Sequence, residues 1–285
     1  MGLPRHTLPT SGDIASIINR LTDRDQAIIT ILGDHRLLST HQLARAFFPS
    51  PERARVRLCA LHRLGVLTRF RPPRPTGTHP YLYCLEHVGA CLYASAREKP
   101  WPKRASIAEV TARLAANAKT AHLLGVNDFF TRIMATARAR DDAHLASWLN
   151  EQQAGEACGQ AVRPDAAAVY VEGEQRLSMW FEHDTGTEPL SILESKLDRY
   201  ATLLHRPGRP PRPVVFALTS PARERHLHER LADREFPMRV ATCHASTATD
   251  PTGACWWLLH GAARVRLIEV ATPIPPPGIN GWGTR

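Results

Sequence analysis

The sequence predicts an α/β protein overall, in which a basic, helical N-terminal module ending in a β-hairpin precedes a mixed-sheet α/β body. Three observations predict it. The 285 residues exceed a typical domain of roughly 100–200 residues. Apolar residues at 43% and charged residues at 22% are ordinary globular usage, enough to bury a sizeable core. The charge is also unevenly placed: residues 1–104 hold 16 Lys+Arg against 7 Asp+Glu, a balance of +9, whereas residues 105–285 hold 20 of each and balance to zero. A basic block on a neutral body is how phosphate neutralisation looks in a sequence.

Other classes are excluded early. No apolar run approaches the roughly 18 residues of a spanning helix, and MGLPRHTLPTSGD lacks the basic-then-apolar build of a signal peptide; both predict a cytoplasmic protein with no membrane partner. The cysteines (Cys59, Cys84, Cys91, Cys158, Cys243, Cys255) are scattered, with no C-x-x-C pair and no histidine at zinc-finger spacing, so no structural zinc is expected.

Residues 1–20 read as an N-terminal arm and 21–96 as one folded module. Thr22-Asp23-Arg24-Asp25 caps a first helix whose Ile28, Ile29 and Leu32 form an apolar stripe, and Gly33-Asp34 ends it. Ser39 or Thr40 caps a second helix carrying Leu43, Ala46 and Phe47, which Pro49-Ser50-Pro51 breaks. The third helix runs from about Pro51 to Leu64, with proline in its first turn and Gly65 just past its end. It turns Ala54, Leu58 and Leu61 inward and leaves Arg53, Arg55, Arg57 and Arg63 on its other faces. Val66–Arg71 and Tyr81–Leu85 then alternate as two strands around a Pro/Gly/Thr loop at 72–80.

Three short helices and a basic hairpin follow the order of a winged helix-turn-helix, in which the third helix enters the major groove and the wing meets the backbone. Arg53, Arg55, Arg57 and Arg63, with Arg69, Arg71 and Arg74 on the wing, are therefore candidate contacts to double-stranded DNA. The same helix order also serves protein contacts, homodimers included.

Residues 97–118 read as a linker leading into helix, and 119–272 as the α/β body. Ala121–Ala139 is helical on the stripe Leu124, Phe129, Ile133. Strands are expected at Asp165–Val171, Arg176–Asp184, Pro213–Leu218, Met238–Thr242, Trp256–His260 and Arg264–Val270, with helices near Pro189–Leu204 and Pro221–Arg234. The Pro/Gly-rich segment 273–285 reads as a flexible tail.

One constellation in the body carries chemistry. Gly173-Glu174 predicts a two-residue hairpin turn that pairs Glu172 with Gln175, and hence all positions summing to 347. Asp165 then falls opposite Glu182, and strand periodicity puts Asp184 on the face of Glu182. Three hard oxygen donors at one hairpin end suit Mg²⁺ or Mn²⁺, because clustered like charges are costly without a cation. The bland alternative is a solvated strand end before the next helix. Asp184-Thr185-Gly186-Thr187 also matches the short aspartic-protease signature, but no second copy supplies the needed dyad.

Arg163-Pro164-Asp165 followed by Glu182-His183-Asp184 resembles the PD-(D/E)xK nuclease motif, in which Pro-Asp and Glu-x-Lys stand on adjacent strands. The resemblance covers about 150–219 and implies a PD-(D/E)xK nuclease fold for the body. It also implies Asp165, Glu182 and a lysine as catalytic residues. Asp184 occupies the lysine position, and Lys196 on the following helix is the candidate replacement. More of the chain, through LTDRDQAIITIL, RVRLCALHRLGVLTRF, HLLGVNDFF, RPDA and FEHDTGTEPLSILESKLDRY, resembles the actinobacterial replication-relaxation family, proteins linked with plasmids and other mobile elements. Two expectations follow. One is a DNA-binding protein whose Asp165, Glu182 and Asp184 hold a metal for DNA cleavage. The other is a non-enzymatic regulator or replication accessory protein whose nuclease-like domain makes dimer or partner contacts.

Overall fold

The computed structural model describes residues 16–72, 79–117, 119–205, 211–244 and 249–271. Most of the expected N-terminal arm, Arg74 and the 273–285 tail lie outside the described residues. The chain divides into two compact units, 1–131 and 132–285.

The first unit builds its helices on side-chain caps. Helix α1 (Asp23–His35) starts on Thr22, which donates its backbone N–H to Asp25 Oδ2 (2.7 Å) and accepts from Asp25 N–H in a reciprocal capping box. Strand β1 (Leu38–Ser39) is two residues long, too short to show a period. Ser39 and Gln42 form a second capping box for α2 (Thr40–Phe47). Ser50 caps α3 (Pro51–Arg63), whose Ala54, Leu58 and Leu61 are completely buried as the period requires. Strands β2 (Leu67–Phe70) and β3 (Leu82–Leu85) form the hairpin, and the antiparallel sheet has the order β1-β3-β2. Helix α4 (His87–Ser95) packs closely over β2, where a Cβ on Gly89 would lie 2.1 Å from the Val66 carbonyl oxygen. Helix α5 (Arg104–Ala116) follows, largely exposed apart from Leu114.

The division between units falls inside α6 (Thr120–Arg138), whereas the sequence placed a boundary ahead of it. The first half of α6 is tied to the first unit. The Asn127 side-chain amide donates to the Leu37 carbonyl (2.6 Å), Gln42 Nε2 donates to the Leu124 carbonyl (2.7 Å), and Arg45 pairs with Asp128 (2.7 Å).

The second unit is a seven-stranded mixed sheet of order β10-β9-β8-β7-β6-β5-β4. Its elements are β4 (Ala143–Asn150), α7 (Glu151–Ala157), β5 (Ala166–Glu172), β6 (Gln175–His183), α8 (Leu190–Leu204), β7 (Val214–Leu218), α9 (Pro221–Arg230), β8 (Val240–His244), β9 (Trp256–Leu258) and β10 (Arg264–Val265). Among the described strands only β6-β7 and β7-β8 pair in parallel, each joined by a crossover helix, as parallel strands require. The β5–β6 hairpin pairs Glu172 with Gln175 and Ala166 with Phe181, the register of pairs summing to 347.

Helix α8 buries Leu193, Leu197, Tyr200 and Leu203 against Trp180, Val214 and Phe216 of the sheet. Helix α9 is anchored by the buried Glu224, which accepts from Thr242 Oγ1 (2.7 Å) and from the guanidinium of Arg264. The expected strand 264–270 stops at Val265 and gives way to a 3₁₀ turn, Leu267–Ala271. Leu267, Ile268 and Val270 are all buried, a spacing that strand alternation cannot satisfy.

Candidate functional sites

In the first unit, α3 presents the basic face. Arg53, Arg55 and Arg63 are exposed, and none has a side-chain hydrogen bond or ion pair among the described residues. Val56 stands beside them, 73% exposed. Arg57 differs. Its Nε donates to Asp25 Oδ1 (2.9 Å), a second nitrogen pairs with Asp25 Oδ2, and Nη2 also donates to the Arg20 carbonyl (3.0 Å). Asp25 is completely buried. Burial pushes its carboxyl up, yet the hydrogen bonds from Arg57 and Thr22 outweigh this and hold it below its ordinary value. Arg57 was expected on the DNA-contacting face. Its guanidinium is instead committed to neutralising a carboxylate inside the module.

On the hairpin, Arg69 and Arg71 both lie over the ring of Tyr81, at 4.1 and 3.7 Å from its centroid. Arg69 also donates to the Tyr83 hydroxyl (3.4 Å).

In the second unit, Asp165 stands one residue ahead of β5, and its Oδ2 accepts the His183 backbone N–H (2.7 Å), which carries the hairpin register past its last ladder pair. Glu182 is buried beside it. Lys196 reaches this pair from α8. Its ammonium bonds Glu182 Oε2 and lies 4.0 Å from Asp165 Oδ1. Four residues further along the same helical face, the Tyr200 hydroxyl donates to Glu182 Oε1 (2.6 Å), so both oxygens of Glu182 are gripped by one helix. Burial, reinforced by the Asp165 charge, pushes the Glu182 carboxyl up to about 8, with Lys196 and Tyr200 offsetting part of the cost. Burial works against the Lys196 charge, but the Glu182 and Asp165 carboxylates hold its pKa above the usual value.

Asp184 does not join this cluster. The last residue of β6 is His183, and just past it Asp184 makes a two-point ion pair with Arg223 on the first turn of α9, with Arg223 Nη2 2.9 Å from Oδ1. The parallel pairing of β6 and β7 causes this, because the helix that follows β7 begins beside the end of β6. Arg223 also donates to the Glu188 carbonyl (2.6 Å) and so fastens the segment leading into α8. The expected convergence of three carboxylates is therefore reduced to two, Asp165 and Glu182. Among the described residues no group of three His, Cys, Asp or Glu side chains is placed to hold a metal ion.

The replication-relaxation family matches residues 29–215, more than half of the 285-residue chain. The chain belongs to the replication-relaxation family. Membership associates it with replication or relaxation. No curated protein and no solved structure matches it. The match spans both units described above, from within α1 to the second residue of β7, and so includes α3, the hairpin and the Asp165–Glu182–Lys196 cluster. No helix of the described residues is long and apolar enough to cross a membrane.

Two residues of this replication-relaxation chain escaped sequence reasoning. Tyr200 carries a weak signal, since it follows Lys196 at i+4 on a helix already expected. Arg223 carries none, because its partner is 39 residues away.

Proposed function

We propose that this protein binds double-stranded DNA through α3 and the β2–β3 hairpin of a winged helix-turn-helix, and that Asp165, Glu182 and Lys196 form a phosphodiester-cleaving centre of PD-(D/E)xK type. The observation that carries the second half is the arrival of Lys196 from α8 at Glu182 and Asp165, which supplies the amine that position 184 lacks. The helix order, the β1-β3-β2 sheet and the unpaired Arg53, Arg55 and Arg63 support the first half.

Asp165 and Glu182 fit Mg²⁺ or Mn²⁺, since such ions are commonly held by one or two carboxylates with water and substrate phosphate completing the shell. An ion held by these two carboxylates would supply an activated water and would neutralise charge on the phosphate. The chain's own residues do the rest. Tyr200 keeps one Glu182 oxygen oriented, and the His183 backbone N–H keeps Asp165 in place. Lys196, one-fifth exposed, is positioned to leave Glu182 and donate to a phosphate oxygen as negative charge develops. Arg223 holds the connection that sets α8, and with it Lys196, against β6.

The test is incubation of supercoiled plasmid with Mg²⁺ or Mn²⁺, beside Glu182→Ala and Lys196→Met proteins and an EDTA control. Metal-dependent nicking that both substitutions abolish supports the centre. Plasmid that is shifted but never nicked supports a second reading, a non-enzymatic replication accessory protein. The commitment of Asp184 to Arg223 and of both Glu182 oxygens to α8 favours that reading.

A further inference from the structure

The charges on α8 are sorted by side. Glu194 and Asp198, four residues apart, are each taken by an arginine: Glu194 by Arg230 and Asp198 by Arg234. Lys196 and Arg199, three residues apart, share another side, that of the carboxylate pair. Arg199 is exposed and has no ion pair or hydrogen bond among the described residues, yet its charge is felt at Lys196.

Two further guanidinium groups belong to segments next to this cluster and have no carboxylate partner among the described residues. Arg163, two residues ahead of Asp165, is exposed, and among the described residues its side chain bonds only Gln160, through Nε (3.3 Å). Arg212 lies over the ring of Trp180 at 4.9 Å, and Trp180 stacks on Tyr200, whose hydroxyl holds Glu182. A guanidinium laid on an indole keeps its N–H edge free for a planar, bidentate acceptor such as a phosphate. Elsewhere in this unit Arg140, Arg223, Arg230, Arg234, Arg264 and Arg266 are ion-paired, whereas Arg138, Arg176 and Arg225 are exposed with no ion pair among the described residues. Arg163, Arg199 and Arg212 thus lie on or against the elements that carry the Asp165–Glu182–Lys196 cluster, with no acid partner among the described residues.

We infer that Arg163, Arg199 and Arg212 form a second DNA contact surface, on the second unit, that grips the phosphodiester backbone on either side of the carboxylate–lysine cluster. The inference rests on the DNA-binding reading above and adds a backbone contact distinct from α3 and the hairpin. Its chemistry is sequence-independent, because guanidinium–phosphate contacts position the duplex without reading bases.

The experiment is the salt dependence of binding of a 30-base-pair duplex by the full chain, in EDTA, followed by fluorescence anisotropy between 50 and 300 mM NaCl. Each lost phosphate contact lowers the slope of log affinity against log salt by about 0.9. The R163Q/R199Q/R212Q protein should therefore lose about 2 to 3 from the wild-type slope. The R163Q/R199Q protein, which alters only exposed side chains, should lose about 2. The R53Q/R55Q protein should lose a separate increment and retain the second-unit contribution.

A wild-type slope in the R163Q/R199Q and triple variants, with unchanged melting temperature, overturns the second surface. So does an R53Q/R55Q protein that shows no remaining salt dependence. A wild-type chain that does not bind the duplex even at 50 mM salt removes the DNA-binding reading itself, and this inference with it.

Discussion

Replacing Arg57 by alanine separates an arginine that holds the fold from the arginines proposed to meet DNA. Asp25 has no solvent exposure, and its carboxylate has two kinds of partner: the Arg57 guanidinium at two points, and the backbone N–H and hydroxyl of Thr22 at 2.7 and 2.8 Å. Removing one member of a buried pair costs about 3–5 kcal/mol, because the survivor is left charged and uncompensated. Here the figure must be reduced, since the Arg57 side chain is 30% exposed and Asp25 keeps its Thr22 bonds. About 2–3 kcal/mol of stability remains at stake.

With a denaturant slope near 2 kcal/mol/M, the urea midpoint of the first unit should fall by about 1 M or slightly more. The pH dependence has a definite sign. The Asp25 pKa is held below its ordinary 3.8 by Arg57 and Thr22 against the pull of burial, so its contribution is present above that value and is lost as pH falls through the folded-state value. The gap between wild type and Arg57→Ala should therefore be widest near neutrality and close in strong acid. Urea melts followed by circular dichroism at a series of pH values measure it. A midpoint within 0.2 M of wild type at pH 7, accompanied by weakened DNA binding, would refute the assignment of Arg57 to the fold.

Arg53→Ala and Arg55→Ala should show the converse, with midpoints close to wild type and DNA binding weakened by about 1 kcal/mol each, read by anisotropy at fixed salt. Glu182, pushed up to about 8, supplies stability that is complete below its ordinary 4.5 and lost as pH rises through 8. In EDTA the melting temperature should accordingly decline between those values, and Glu182→Gln should flatten the decline; an unchanged decline would locate the titration elsewhere. Gly186 has φ +75°, and a Cβ there would sit 2.8 Å from Thr219 Oγ1, so Gly186→Ala should cost about 1–3 kcal/mol in urea unfolding.

Where local rules govern, the sequence was legible. The Thr22 and Ser39 caps, the Pro51 start and the buried 54-58-61 stripe depend on residues within a turn or two of one another. The Gly173-Glu174 turn likewise propagates its register along the whole β5–β6 hairpin. Strand β4 was missed because a register shift between Leu145 and Ser147 interrupts its alternation, and β1 because two residues have no period. Helix α7, seven residues long and lacking an apolar stripe of its own, escaped for a similar reason.

The cluster itself divides the same way. Sequence alone determined that Asp165 and Glu182 meet, because a two-residue turn counts residues outward from itself. It also determined that the first third carries the positive charge, since that is a sum over positions. Only the tertiary structure decided which of those charges are free. Arg57 is spent on Asp25, Asp184 on Arg223, and Lys196 is delivered to Glu182. These pairings span 14 to 39 residues and depend on how a helix is laid across a sheet. Where a side chain's partner arrives by packing rather than by local periodicity, the chain must fold before its chemistry is defined.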